Sequence, residues 1–114
     1  MTPTARSLAH LRGLGYVVEV VERWIPGANI RRDLFGFGDL LAVRPGEVLL
    51  VQTTTGDHVA HRLAKIAASP LAATVRGAGI RIVVHGWRKN AAGRWTLREV
   101  ECSAAAPLEY CKAM

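Results

Sequence analysis

Asp39 and Gln52 stand at equal distances on either side of a tight turn, Arg44-Pro45-Gly46. If the chain reverses there, an antiparallel hairpin makes them cross-strand neighbours. The pair would set two oxygen-bearing side chains, one of them charged, at one end of a sheet. Close behind them comes His58, His61, Arg62 and Lys65, which fall on one face of a helix whose other face carries Val59, Leu63 and Ile66. That basic stripe reads either as a solvated face or as a ridge turned toward phosphate.

Other chemistry-bearing residues have two readings each. Glu19, inside Val17-Val18-Glu19-Val20-Val21, is a lone carboxylate in an apolar run. Such a group needs a partner such as Arg81, or a ligand to hold. Asp33 follows Arg31-Arg32 and reads first as their ionic partner, second as an extra acid near Asp39. His85-Gly86-Trp87-Arg88-Lys89 sets an aromatic ring beside two cations at a strand end, suited to a phosphate or base contact, or to packing on the sheet edge. Phe35, Phe37, Trp24 and Trp95 are assigned to packing.

The elements that must position these groups follow from periodicity and turn residues. Thr2 to Leu14 reads as a helix, with Pro3 in its first turn and Leu8, Leu11 and Leu14 on one stripe. Tyr16–Trp24, Asp39–Val43 and Glu47–Thr54 read as strands; Asp57–Ala68 as a helix ended by Pro70; Leu71–Val75 as a further helical turn; Ile80–Trp87 and Arg94–Cys102 as two more strands. On the third strand Val48, Leu50, Gln52 and Thr54 share one face, and Leu49, Val51 and Thr53 the other. The order is helix, three-strand meander, helix, two strands: an α/β fold with a mixed sheet flanked by helices. Residues 1–102 form one domain, with residues 103–114 as a loose tail.

The run Arg31-Arg32-Asp33-Leu34-Phe35-Gly36-Phe37-Gly38-Asp39, the short turn, and Val48-Leu49-Leu50-Val51-Gln52-Thr53-Thr54 resemble the core of PD-(D/E)xK nucleases. In size and topology the chain is similar to Holliday-junction resolvases and related small phage and plasmid nucleases. The resemblance implies a restriction-endonuclease-like core and a metal-dependent DNA endonuclease, with branched structure as a candidate selectivity, working as a homodimer with Mg²⁺ or Mn²⁺. It implies Asp39, Gln52 and the Thr53 carbonyl as metal ligands, with Thr54 where the motif carries a lysine. Glu19 would then add the missing negative charge and Lys65 the missing positive one. Arg31, Arg32, His58, Arg62, Trp87, Arg88 and Lys89 would hold DNA. A non-cutting DNA-binding protein, and a basic subunit that meets an acidic protein, are the competing readings.

Composition is consistent with a polyanion partner: the 114 residues carry a formal charge of +6, while half are apolar and 21% charged, enough for a packed core. Two cysteines without metal spacing, and the lack of a secretory leader at the start, lead to the expectation of a reducing, cytoplasmic setting without a disulfide or membrane span. There is no Walker loop, dinucleotide fingerprint, serine-hydrolase elbow or Cys/His zinc motif, so no nucleotide cofactor is expected.

Overall fold

The structure is a computed structural model and describes residues 1–103. Helix α1 (Pro3–Gly13) starts where Thr2 Oγ1 accepts the Ala5 N–H at 3.1 Å, with Pro3 in the first turn, where its missing N–H costs nothing. Strands β1 (Val17–Val20), β2 (Arg23–Ile25), β3 (Ile30–Arg32), β4 (Leu40–Arg44) and β5 (Glu47–Thr55) follow. A 3-10 turn at Gly56–His58 leads into α2 (Val59–Ala67) and α3 (Ala72–Gly77), then β6 (Arg81–Lys89) and β7 (Trp95–Cys102).

Among the described residues five strands form one sheet in the order β1-β4-β5-β6-β7, in which β5 and β6 run parallel and the other neighbours antiparallel. A parallel pair needs a crossover, which α2 and α3 supply. Alternation along the strands then divides the core in two. Val18, Leu40, Ala42, Leu49, Val51 and Val83 pack with Leu11 of α1 on one face. Leu50, Ile82, Val84 and Val100 pack with Val59, Leu63 and Ile66 of α2 and with α3 on the other. The fold is thus α/β, a mixed sheet with helices on both faces. Among the described residues no helix is long and apolar enough to cross a membrane.

Two expectations about elements are corrected. The single strand expected over Tyr16–Trp24 is two strands in different sheets. β1 follows β4 to Val20↔Leu40, and Val21 N–H still reaches Asp39 O at 2.9 Å. Beyond it the chain leaves the sheet, and β2 pairs with β3 in a separate hairpin. Its turn is closed by Gly27 and Asn29, both at positive φ, with Asn29 N–H on Ile25 O at 3.0 Å. The other correction concerns aromatics. Phe37 is core, but Phe35, Trp24 and Trp95 are exposed, at 43%, 53% and 39%. Trp95 is covered instead by cations, with the Arg6 guanidinium 4.0 Å from its ring centre. Of the expected tail only Ser103 is described; residues 104–114, Cys111 among them, lie outside the described residues.

Trp87 is the reverse case. It was expected at a DNA surface, yet its ring is buried against α1 and its Nε1–H donates to Ser7 Oγ at 2.8 Å. Ser7 Oγ also lies 2.9 Å from His85 Nδ1, and His85 Nε2 lies 2.8 Å from Glu99. One set of protons satisfies every atom: Trp87 donates to Ser7, Ser7 to His85, and His85 to Glu99. The His85 hydrogen bond holds the Glu99 carboxyl below its ordinary range. Ser7 and His85 are wholly buried, so this chain of bonds ties α1 to β6.

Replacing Ser7 with Ala leaves a buried indole N–H and an imidazole nitrogen unpaired. Urea unfolding of Ser7→Ala is expected to show a loss of about 1–3 kcal/mol; an unchanged midpoint would mean the network does not hold the helix.

Candidate metal centre

The site begins where a ladder stops. β4 and β5 pair as far as Leu40↔Val51, after which β5 continues beside β6 to Thr55. The register carried one step on sets Asp39 opposite Gln52. Gly38, just before, cannot carry a side chain: a Cβ there would come 2.3 Å from Leu50 Cδ1. That close approach lets Asp39 reach the sheet, where its N–H donates to Val51 O at 2.9 Å.

Asp39 is buried, and its Oδ2 accepts from Gln52 Nε2 at 2.7 Å, Thr53 N–H at 2.7 Å and Thr53 Oγ1 at 3.2 Å. Thr53 Oγ1 in turn meets Thr4 Oγ1 at 2.8 Å, so the first turn of α1 touches the site. Because Thr53 N–H faces Asp39, its carbonyl lies along the same edge of β5. Two more acids arrive from the loops flanking the β2–β3 hairpin. Glu22, Asp33 and Asp39 each bring a carboxylate oxygen within 4.8 Å of the other two.

The electrostatics of this cluster are unfavourable as it stands. Burial pushes the Asp39 carboxyl above its ordinary value; the Thr53 N–H pulls it down, and the charge of Glu22 pushes it up again. Asp33 is also raised, first by burial and then by the charge of Asp39 beside it. Gln52 is 2% exposed, and its Oε1 has no hydrogen-bond partner among the described residues. A buried amide oxygen left unpaired next to crowded carboxylates is costly on both counts. The three carboxylates form an all-oxygen donor set of the kind a hard divalent cation takes. The residues fit such an ion.

Cations ring the acids. Lys65 Nζ lies 3.9 Å from Asp33 Oδ2, and Arg31 lies 3.7 Å from Glu22. A cleft of about 650 Å³ opens over the cluster, walled by Thr54, Arg31, His58 and Arg62, with Thr2 to Thr4 at the start of α1 forming its rim.

Of the residues singled out in the sequence, the structure thus gathers Asp39, Gln52, Thr53, Thr54, Arg31, His58 and Arg62 around one cleft, with Lys65 close to its acids. Glu19 is not among them. It is exposed on β1 opposite Leu41, and Arg81 pairs instead with Glu47 and Glu101. The negative charge comes from Glu22 and Asp33, and Asp33 serves the cluster and not the arginines beside it. Arg32 faces a neighbouring cleft. Arg88 lines a different one, with Gly56 and Thr96, and Lys89 sits 5.6 Å from the Trp95 ring. Glu22 was missed, although its place just after an apolar strand and before the Pro-Gly turn was a visible signal. Compared with known proteins, the chain matches no family model and no curated sequence.

Since the folded protein holds protons on Asp33 and Asp39 more tightly than the unfolded chain does, their contribution to stability falls as pH rises through the raised values. Comparison with Asp33→Asn isolates this from every other carboxylate. In metal-free buffer the two proteins are expected to melt together below about pH 3.9, the ordinary aspartate value. The variant should gain as pH rises and melt a few degrees higher at neutrality. A variant less stable than wild type at pH 7 would show that the Lys65 contact outweighs the crowding.

Proposed function

We propose that the chain is a metal-dependent DNA endonuclease with a restriction-endonuclease-like core, hydrolysing phosphodiester bonds at the Asp39 cleft. The observation that carries the reading is the buried pair of Asp39 and Gln52, in contact across β4 and β5, with Asp33 and Glu22 closing on it and an amide oxygen without a partner. The antiparallel β4–β5 hairpin followed by a helical crossover to a parallel β6 agrees with that core.

Asp39, Asp33, Glu22 and Gln52 would hold Mg²⁺ or Mn²⁺, with the Thr53 carbonyl on the same edge. Gln52 turns its nitrogen to Asp39, so its oxygen would join this set only with the amide turned over, in exchange for that hydrogen bond. Such a cation, when bound, supplies Lewis-acid polarisation of a phosphodiester and offsets the charge that develops as the bond breaks. The chain's own residues do the rest. Thr54 is buried where a motif lysine would stand and carries no charge, so Lys65, on the adjacent face of α2, is the cation placed to steady an attacking water or the developing charge. Arg31 and Arg62 hold the backbone as cations, and His58 offers a ring nitrogen to it as a hydrogen-bonding group. Two cuts on a branched substrate call for two such sites, hence a two-fold homodimer.

A second reading has its own observation. Thr54 supplies no charge to the cleft, which suits a protein that binds DNA at this fold without cutting it. Titration with Mn²⁺ followed by cleavage assays decides. Manganese at one hundred times its dissociation constant should stabilise the wild-type fold by about 2.7 kcal/mol, and Asp39→Ala should lose that gain along with all cutting. Lys65→Ala should keep the metal and lose roughly 100-fold in rate. Metal uptake and DNA binding without cleavage of duplex, nicked, branched or single-stranded DNA would favour the second reading; no metal uptake at all would sink the first.

A further inference from the structure

The acid cluster is open on two sides. Glu22 and Asp33 line the cleft already described, and the same two residues line a second cleft of about 540 Å³ behind it. The β2–β3 hairpin stands between the two. Its cross-strand pairs alternate, so Arg23 with Arg32 point to one face and Trp24 with Arg31 to the other. Arg23 and Arg32 line the second cleft, while Arg31 lines the first. Both sides of the acids therefore carry guanidinium groups.

The second cleft differs from the first in its walls. Besides the two arginines it is lined by Val20, Val21, Leu34 and Phe35. Phe35 is the unusual residue. It occupies, with Gly36, the centre of a turn in which Phe37 N–H meets Leu34 O at 3.2 Å, and both central residues are left-handed, at φ 57° and 87°. This is the turn type that selects Asn, Asp or Gly at its first central position; a bulky ring there is disfavoured. Its neighbour Phe37 is 1% exposed, yet Phe35 is 43% exposed at the rim of the cleft. Neither core packing nor turn chemistry accounts for an aromatic ring at this position.

We infer that this second cleft takes the base of one unpaired DNA nucleotide next to the phosphate held at the acid cluster, stacked on Phe35 and with its own phosphate between Arg23 and Arg32. The arrangement combines an aromatic face, aliphatic walls and paired cations, which is what a single strand requires and a stacked duplex cannot use. A fully paired strand keeps its bases in the helix, so the cleft favours substrates with a free end, flap or branch. The inference rests on the nuclease reading for the identity of the ligand, and it names the substrate class of that same site.

The test separates the two. Oligonucleotides carrying 2-aminopurine in a single-stranded segment, alone and beside a duplex, are titrated with the protein in Ca²⁺, and their fluorescence reports stacking. The same substrates are then assayed for cleavage in Mn²⁺. Phe35→Ala is expected to weaken binding of the single-stranded segment about tenfold and to abolish the quenching, with duplex binding and Mn²⁺ affinity unchanged. Phe35→Tyr should restore both, and Arg23→Ala with Arg32→Ala should weaken single-strand binding while flattening its salt dependence. If Phe35→Ala binds single-stranded and duplex DNA in the same ratio as wild type, the inference is overturned, whether or not the protein cuts. If wild type cuts nothing yet shows the Phe35-dependent quenching, the nuclease reading falls and the base cleft stands.

Discussion

The structure turns on one buried carboxylate. Asp39 sits where the β4–β5 ladder ends and accepts three hydrogen bonds, from Gln52 Nε2 and from the backbone and hydroxyl of Thr53. Those bonds do not neutralise it, because two further acids stand within 4.8 Å and burial disfavours charge on Asp33 and on Asp39 itself. Sheet topology makes this arrangement. β5 is held on its far side by parallel β6 as far as Thr55, so it can outrun β4 and leave its near edge free to donate to a side chain. Gly38 is the price of entry: Leu50 fills the space that any Cβ would need.

The two helical layers hold this edge from opposite sides. On one, Leu11 packs α1 onto β4 and β5, and Ser7 ties it to His85 and Trp87. The first turn of the helix is thereby set down so that Thr4 meets Thr53, the residue that donates twice to Asp39. On the other, Val59, Leu63 and Ile66 bury one stripe of α2, which turns Arg62 toward the cleft and Lys65 toward Asp33. The close contact of Gly86 with Val59, whose Cγ2 would lie 2.2 Å from an added Cβ, seats the start of α2 tightly on β6. Packing far from the acids therefore determines which cations reach them.

Most of the framework was legible in the sequence, because it depends on local rules. Counting outward from Pro45-Gly46 is enough to pair residue 39 with residue 52, since a short turn fixes the register of both arms. What was not legible depends on where the chain leaves the sheet. Tyr16 to Trp24 is valine-rich throughout its first part, and nothing in its composition marks Val20 as the last residue to follow β4. Taken as one strand, it makes Glu19 the inner acid; split at Val21, it puts Glu22 there and leaves Glu19 exposed. The aromatics failed for a related reason. Burial of Trp87 depends on α1, far away in the sequence, offering Ser7 to its N–H, while exposure of Phe35 depends on a left-handed turn that its own residue type disfavours.

That last conflict bears on how the site is built. A sequence that only had to fold would place Asn or Gly at position 35 and a neutral side chain at position 33, relieving a backbone conformation and a crowded charge at once. Both costs fall in one short segment, Asp33 to Phe35, between β3 and the strand that carries Asp39. Local rules agree with the fold at the Thr2 cap of α1 and at the Gly27–Asn29 turn, whereas in this loop they oppose it. Since the segment walls both clefts, the strain lies where a ligand can compensate it: a cation for the acids, a stacked ring for the phenylalanine. The energetics of the fold thus single out the same few residues as the geometry does.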